Sequence, residues 1–487
     1  MQSARIFEEH SSVLPEFWGL GRGERTLVCL DAHLDLQAIS APLLALLQRC
    51  ESVAEVKALE KPHHLMPDRG YAYSLEDWLF PAHRLGLFHH LVWVAPPHVR
   101  VELSAAVVAH LEQMDGVMPS ELASFRPLPG GGFRGTLAGV PITLCSHAQL
   151  AALELSGPVL LDIDTDYFVE VPGDRAWIDP AEVLQTVRAA LPEPELVTIS
   201  RSEGSGFLPL RYRYFADYLS ACWEERRADA DHYQRLFRLD DPGVDPGTRA
   251  LGLAQECERF PDCAATWHLR SLADSASTES LAQQDRATRL DAAYRQDSLT
   301  RACAYPQRRL PVSADACLTL QGLLASESLP PWRQACAQAA VGHVWCALGL
   351  IDAAIACHGQ CSAHFGTHPA LALEIGKALL ARGRAPEAVG FLKAALDDDT
   401  SRNSARVYLA ELYARAGRNQ LALEHAAAAF EAAPAWSQVA WLLARIHRQL
   451  GHTDTAAEIE SRQRELARER VGLLGTAAPA NQGAGAS

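Results

Sequence analysis

The sequence predicts an α/β domain built on a parallel sheet, followed by an all-α repeat domain. Three observations point to it. Short apolar segments alternate with helix-like ones over the first 220 or so residues, two of those segments end in clustered aspartates, and a glycine recurs at fixed spacing through the last third. Alternating strands and helices are the pattern of a sheet covered by helices. A chain of 487 residues also exceeds a single ordinary core, so two or three domains are expected.

Strands are predicted at 26–30, 91–95, 140–144, 158–163 and 195–200, and helices at 40–50, 99–113 and 180–191. The strand runs are short, apolar and partly β-branched, as in Thr26-Leu27-Val28-Cys29-Leu30 and Pro158-Val159-Leu160-Leu161, and read as buried parallel strands. Pro127 to Phe133 carries three consecutive glycines and marks a turn or hairpin; it lacks a phosphate-loop pattern. From about 207 to 315 the chain turns helical and polar, with breaks at Asp241-Pro242-Gly243 and Asp245-Pro246-Gly247. The expected division is an α/β domain at 1–225, a helical extension or linker at 226–315, helical repeats at 316–470 and an Ala/Gly-rich disordered tail at 471–487.

In the C-terminal third, Gly349, Gly383, Gly417 and Gly451 recur every 34 residues, each followed five positions later by Ala354, Ala388, Ala422 or Ala456. Small residues at Gly342, Gly376, Ala410 and Ala444 precede the glycines by seven positions, and Pro434 marks the end of a repeat. Between them, stretches such as Ala405 to Tyr413 carry apolar side chains at helical spacing. This pattern resembles the tetratricopeptide repeat, in which two helices pack through small residues and a glycine breaks the chain between them.

The formal net charge of −15 argues against non-specific binding to nucleic acid or anionic membranes. It suits a basic partner, such as an arginine-bearing substrate. The first ten residues lack the apolar core of a signal peptide, and no stretch has the apolar length of a membrane span. The twelve cysteines are scattered and form no C-x-x-C pair, which reads as reduced thiols in a cytoplasmic protein.

The chemistry concentrates where two strand-like runs end. Asp31-Ala32-His33-Leu34-Asp35 follows the first, and Asp162-Ile163-Asp164-Thr165-Asp166 closes the second. Open α/β sheets bind ligands outside the carboxyl ends of their strands, so five carboxylates and an imidazole are expected to converge there. Two carboxylates about 4 Å apart repel by roughly 4 kcal/mol at an effective dielectric of about 20. Several acids must protonate, or cations must neutralise them. Mixed Asp/His ligation suits a divalent transition metal, and shared carboxylates suit a pair. Asp31, His33 and Asp35 sit in one turn, Asp162 and Asp164 alternate onto one side of a strand end, and His10 is a candidate for the remaining nitrogen ligand.

The order D-A-H-x-D followed far downstream by D-x-D is similar to the ligand pattern of the ureohydrolase superfamily, which includes arginases and agmatinases. The surrounding segments look closer to a divergent branch, the peptide arginases. They are Glu9-His10, Val13-Leu14-Pro15, Ser74 to Ala82, Trp93-Val94, Asp162 to Phe168 and Ser200-Arg201-Ser202, and the likeness spans roughly residues 6 to 215. The resemblance implies an arginase-like sheet and metal ligands at His10, Asp31, His33, Asp35, Asp162 and Asp164, with Asp31 and Asp162 bridging two Mn²⁺ per chain. Where arginases carry Asp-Pro after the second motif, this chain has Asp166-Tyr167-Phe168, and Glu8-Glu9-His10 replaces their glycine-rich segment. Both departures fit the peptide branch.

Three further residues are candidates for catalysis. Glu203, after the strand-like run 195–200, is a candidate to pair with a planar guanidinium, and His83 or Glu76 to shuttle a proton to the departing amine. His63 and His64 are further shuttle candidates. Haloacid-dehalogenase phosphatases carry Thr or Val where Asp166 stands, and the G-D-x-x-D and G-N-H motifs of metallophosphatases are missing. The resulting expectation is hydrolysis of peptidyl arginine to ornithine and urea in a precursor peptide, with the repeats engaging that peptide or a protein partner. A non-catalytic repeat-based scaffold and a single-metal deacetylase-like amidohydrolase stay open beside it.

Overall fold

The computed structural model describes residues 3–102, 111–274 and 278–476. Among the described residues there are ten strands: β1 (Arg5–Phe7), β2 (Thr26–Leu30), β3 (His90–Val94), β4 (Arg126–Pro127), β5 (Phe133–Leu137), β6 (Val140–Cys145), β7 (Val159–Asp164), β8 (Val169–Glu170), β9 (Arg175–Ala176) and β10 (Leu196–Ser200). Eight of them form one sheet in the order β1-β10-β7-β2-β3-β6-β5-β4, and β8 and β9 make a separate hairpin. The run from β1 to β6 is parallel, while β5 and β4 add an antiparallel edge. The five predicted strands are all there, shifted by a residue at most. The glycine-rich stretch joins β4 to β5 as a hairpin, and the helices at Ala41–Gln48 and Pro180–Ala190 match two of the predicted ones. The third, at 99–113, is described only in part, as Pro97–Glu102, because 103–110 lie outside the described residues.

Strand β2 lies centrally between β7 and β3, which explains why all five of its residues are buried. Its side chains alternate between two cores. Leu27 and Cys29 join Phe17, Trp78 and Trp93 on one face, and Val28 and Leu30 join Phe168, Phe215 and Leu236 on the other. The second core also takes in Leu253, Leu269, Ala287 and Tyr294, so the helices from Arg227 to Leu290 cover the sheet itself and are an extension of it. From β2 the chain moves to β3 on one side, and from β7 to β10 on the other. The order reverses between β2 and β7, and a crevice opens at their carboxyl ends.

The C-terminal part is a stack of antiparallel helix pairs: Pro331–Leu348 with Ile351–Phe365, Pro369–Ala381 with Ala385–Ala394, Asp399–Arg415 with Asn419–Ala432, and Ser437–Gln449 with Thr453–Thr476. The periodic glycines turn the chain between partners, with φ of 80°, 74°, 72° and 84° at Gly349, Gly383, Gly417 and Gly451. At Gly342 an added Cβ would lie 2.7 Å from Leu371 Cδ2, which is why that position must be small. The last helix runs through Thr476, into the segment expected as a tail, and 477–487 lie outside the described residues.

The repeats dock on the α/β domain at two places. Met66 enters the repeat core, and beside it Asp68 and Asp398 accept across the junction: Asp68 N donates to Asp398 Oδ1 at 3.0 Å, and Asp399 N to Asp68 Oδ2 at 2.7 Å. Lys61, 5% exposed, neutralises Asp68 from the α/β side. At the second place, Gly116 N donates to Ala432 O at 2.7 Å, and Ala435 N to Val117 O at 3.3 Å.

Candidate metal centre

Three elements deliver the acidic cluster. Strand β2 ends at Leu30, and Asp31 N is held by Val94 O of β3, which fixes the turn carrying Asp31, His33 and Asp35. Strand β7 ends on Asp162 and Asp164, and a 3₁₀ turn at Thr165–Phe168 follows, with Asp166 N bonded to Asp164 Oδ1 at 3.2 Å. The third element is β1, too short and polar to read as a strand from periodicity. It pairs in parallel with β10, so its end at Phe7 lies level with Ser200, and the turn after it carries His10 over the ends of β7 and β2.

His10 is the hub. Its Nε2 lies 2.6 Å from Asp162 Oδ2. Its Nδ1 lies 2.8 Å from Asp35 Oδ2 and 3.3 Å from both Asp31 Oδ2 and Asp164 Oδ2. His33 forms the outer part, with Nδ1 2.8 Å from Asp166 Oδ2 and 3.8 Å from Asp31 Oδ1, and its side chain is 45% exposed at the mouth. The carboxylates are fixed from behind: Thr198 Oγ1 donates to Asp162 Oδ1 and Ser202 Oγ to Asp164 Oδ2, each at 2.5 Å. Asp35 and Ser202 hold left-handed backbone conformations, φ 32° and 47°, rare for residues with a Cβ and typical of strain kept at functional sites.

Electrostatically the cluster is unbalanced. Five carboxylates face two imidazoles, and the strongest charges acting on Asp31, Asp164 and Asp166 come from within the cluster: Asp35 and Asp166 on Asp31, Asp166 and His10 on Asp164, and His33 on Asp166. Burial, then Asp35 and Asp166, pushes Asp31 up to about 8. Burial, with Asp166 adding to it, raises Asp164 well above the carboxylate range. Burial opposes charge on the His10 ring, but Asp162 overrides it and holds that imidazolium well above its ordinary range. Burial likewise opposes charge on His33, and Asp166 outweighs it, raising the ring to about 10. Asp31 Oδ2 has no hydrogen-bond partner among the described residues. A buried carboxylate oxygen without a hydrogen bond, crowded by like charges and faced by the His10 ring at 3.3 Å, is what a divalent cation relieves, so this donor set fits a metal pair. Among the described residues, three ligand groupings lie within coordination reach: His10, Asp31 and Asp164; Asp31, His33 and Asp166; and His10, Cys29 and Asp162.

The six residues expected as ligands therefore come together. Sequence reasoning placed Asp166 at the crevice but left it out of the ligand set, although its spacing two residues beyond Asp164 was the available signal. It missed Cys29, whose Sγ lies 3.5 Å from Asp162 Oδ2; its place two residues before Asp31, on the same strand face, is the only hint.

In front of the cluster lies a cavity of about 770 Å³, walled by His33, Asp35, Glu76, Asp166, Trp93, Asp115 and Phe207 from the α/β domain and by Thr400, Asn403, Ser404 and Trp436 from the repeats. Glu76, a candidate proton shuttle, is on this wall, and burial raises its pKa above the ordinary value. The other two catalytic candidates are placed elsewhere. Glu203 is buried on Arg213, at 3.5 Å, and accepts from Gln296 at 2.5 Å; it is outside the residues lining the cavity, so it is engaged internally rather than offered to a substrate. His83 packs against Phe88, and the charge of His89 acts on it. That puts His83 beside the start of β3, at the amino end of the strands, opposite the carboxyl end that carries Asp31. His63 and His64 stack on each other at 4.4 Å, also outside the lining.

No protein-family model matches the chain, and no curated protein does. Among solved structures it is similar to YrrB, titled a TPR protein with an unusual peptide-binding site, at 16% identity and a TM-score of 0.25, over 47% of this chain and 98% of that one. It is also similar to an IFIT1 monomeric mutant with Gppp-AAAA, at 12% identity and a TM-score of 0.29, over 61% and 77% of the two chains. For the human IFIT1 dimer with PPP-AAAA the values are 13% and 0.21, over 59% and 87%. Among the described residues, no helix is long and apolar enough to cross a membrane.

Proposed function

We propose that this protein is a dinuclear metal hydrolase that cleaves the guanidinium of an arginine within a precursor peptide, giving ornithine and urea. The observation that carries the reading is the convergence of His10, His33 and five aspartates, four of them buried, at the β2/β7 switch point, facing an acidic cavity. The ligand order resembles that of the ureohydrolases, and the flanking segments resemble the peptide arginases; that likeness supplies the reaction class and manganese as the metal. When bound, a pair of divalent ions supplies Lewis acidity that brings the pKa of water from about 15.7 towards about 7.

The chain's own residues do the rest. Asp35, Asp115 and Asp166 line the cavity, opposed by the Arg309 guanidinium, and favour a cation. Trp93 and Phe207 offer apolar surface to the methylene stem of an arginine. Water adds through oxygen to the guanidinium carbon and gives up both its protons, one of which passes to Nε; the bond from that carbon to Nε breaks with its electron pair going to Nε, leaving urea and the free amine, which takes the second proton to become an ammonium. Glu76 is placed to hold that proton, because its burial favours the neutral acid.

Mass spectrometry of arginine-containing peptides incubated with the full chain and Mn²⁺ tests the reading. Loss of CN₂H₂ at an arginine is the expected result, and an unchanged mass across a broad peptide set overturns it. The stack of four helix pairs favours a second reading, a peptide- or protein-binding scaffold without catalysis. Metal content separates the two, since the scaffold needs no manganese for binding.

A further inference from the structure

We infer that the repeat domain completes the substrate site, with Asn403 as a positioning residue that accepts a hydrogen bond from the peptide carrying the cationic side chain. The inference rests on the proposed peptide substrate but concerns a different part of the protein. Asn403 belongs to the repeat helix Asp399–Arg415 and is 6% exposed, yet it lines the cavity before the metal centre. Its Nδ2 donates to Asp115 Oδ1 of the α/β domain at 2.9 Å, across 288 positions of sequence. That bond orients the amide and leaves Oδ1 as the acceptor. Asn403 Oδ1 is buried with no hydrogen-bond partner among the described residues. A buried acceptor left unpaired is unfavourable, and a donor arriving with substrate would relieve it.

The cavity's shape and charge set the ligand class. About 770 Å³ exceeds what one side chain fills, so residues flanking the arginine have room. Asp35 and Asp166 stand at the metal end, whereas Asn403 and Trp436 come from the repeats. Trp436, half-buried just ahead of the helix Ser437–Gln449, adds a flat apolar surface to that wall. The metal end then reads the guanidinium, and the repeat wall reads the peptide around it. A small guanidine engages only the first, and a peptide engages both.

The test uses the manganese-loaded full chain and two probes: a fluorescein-labelled pentapeptide of alanines with one central arginine, followed by anisotropy in the first seconds after mixing, and methylguanidine as its competitor. Asn403→Ala is expected to weaken peptide binding about five- to tenfold, with methylguanidine affinity and manganese content unchanged. Trp436→Ala is expected to show the same split, so the test survives if one variant is poorly folded. Equal peptide affinity in wild type and both variants overturns the inference. So does parallel loss of both probes together with metal, which marks a structural role. A wild-type chain that binds no arginine peptide overturns the proposed substrate along with it, whereas binding unaffected by the variants overturns this inference alone.

Discussion

His10 Nε2 lies 2.6 Å from Asp162 Oδ2, across 152 positions of sequence, while Nδ1 of the same ring lies 2.8 Å from Asp35 Oδ2. One imidazole thus ties the end of β7 to the turn after β2, and it carries a proton on each nitrogen only while no metal competes for them.

The first prediction separates the ligands. Asp162→Asn removes the carboxylate common to His10, Thr198 and Cys29, and manganese affinity should fall by about 100-fold or more. Asp166→Asn removes the partner of His33 and should lower manganese from about two ions per chain to about one, with the inner ion kept. Elemental analysis of the purified variants checks both. Full manganese content in Asp166→Asn would place Asp166 outside the coordination set.

Metal should also stabilise the fold. Bound ions relieve repulsion that the metal-free cluster bears, and a ligand at about 100 times its Kd contributes about 2.7 kcal/mol. For an α/β domain of this size that is a rise on the order of 5–10 °C in Tm. A thermal scan with Mn²⁺ and then with a chelator measures it. An unchanged Tm in Asp31→Ala alongside a manganese-dependent rise in wild type is the expected pattern.

Acid should weaken the seam between the two domains. Burial pushes His63 down to about 3, with Arg333 acting in the same direction, and burial pushes His368 in the repeats down to about 3, with His343 adding to it. Cys303 Sγ lies 4.0 Å from His63, and His64 stacks on it. Both rings are neutral when folded, so the unfolded chain, with histidines near 6.5, takes up protons first. Stability present above pH 6.5 is therefore lost as pH falls towards 3, at about 2 kcal/mol per ring by pH 5. Urea midpoints at pH 7 and pH 5 should show the drop, and His63→Gln with His368→Asn should flatten it. Asparagine keeps an acceptor where His368 Nδ1 caps Leu371 N.

Much of this was legible in the sequence, for physical reasons. A central parallel strand must be apolar on both faces, so β2, β3, β6, β7 and β10 announced themselves. The two aspartate clusters stood out because carboxylates cannot crowd at strand ends unless some take up protons or cations neutralise them. Other features were not legible. β1 is three residues long on a sheet edge, with no period to detect, yet it delivers His10. Glu203 follows a true strand, but Arg213, ten residues on, neutralises it. His83 is close in sequence to Glu76 but lies towards the amino end of the strands, because the helix Leu79–Arg84 carries the chain away from the crevice.

The sequence by itself determined the two-part architecture, the 34-residue repeat and the identity of six clustered metal-ligand candidates. These depend on local periodicity and on charge density, which a linear chain displays. Only the tertiary structure decided that Asp166 closes on His33, that Cys29 lies behind Asp162, and that Asn403 and Trp436 of the repeats wall the cavity. Those relationships join residues across long stretches of chain. They are fixed by the switch point of the sheet and by the docking seam, neither of which has a local signature.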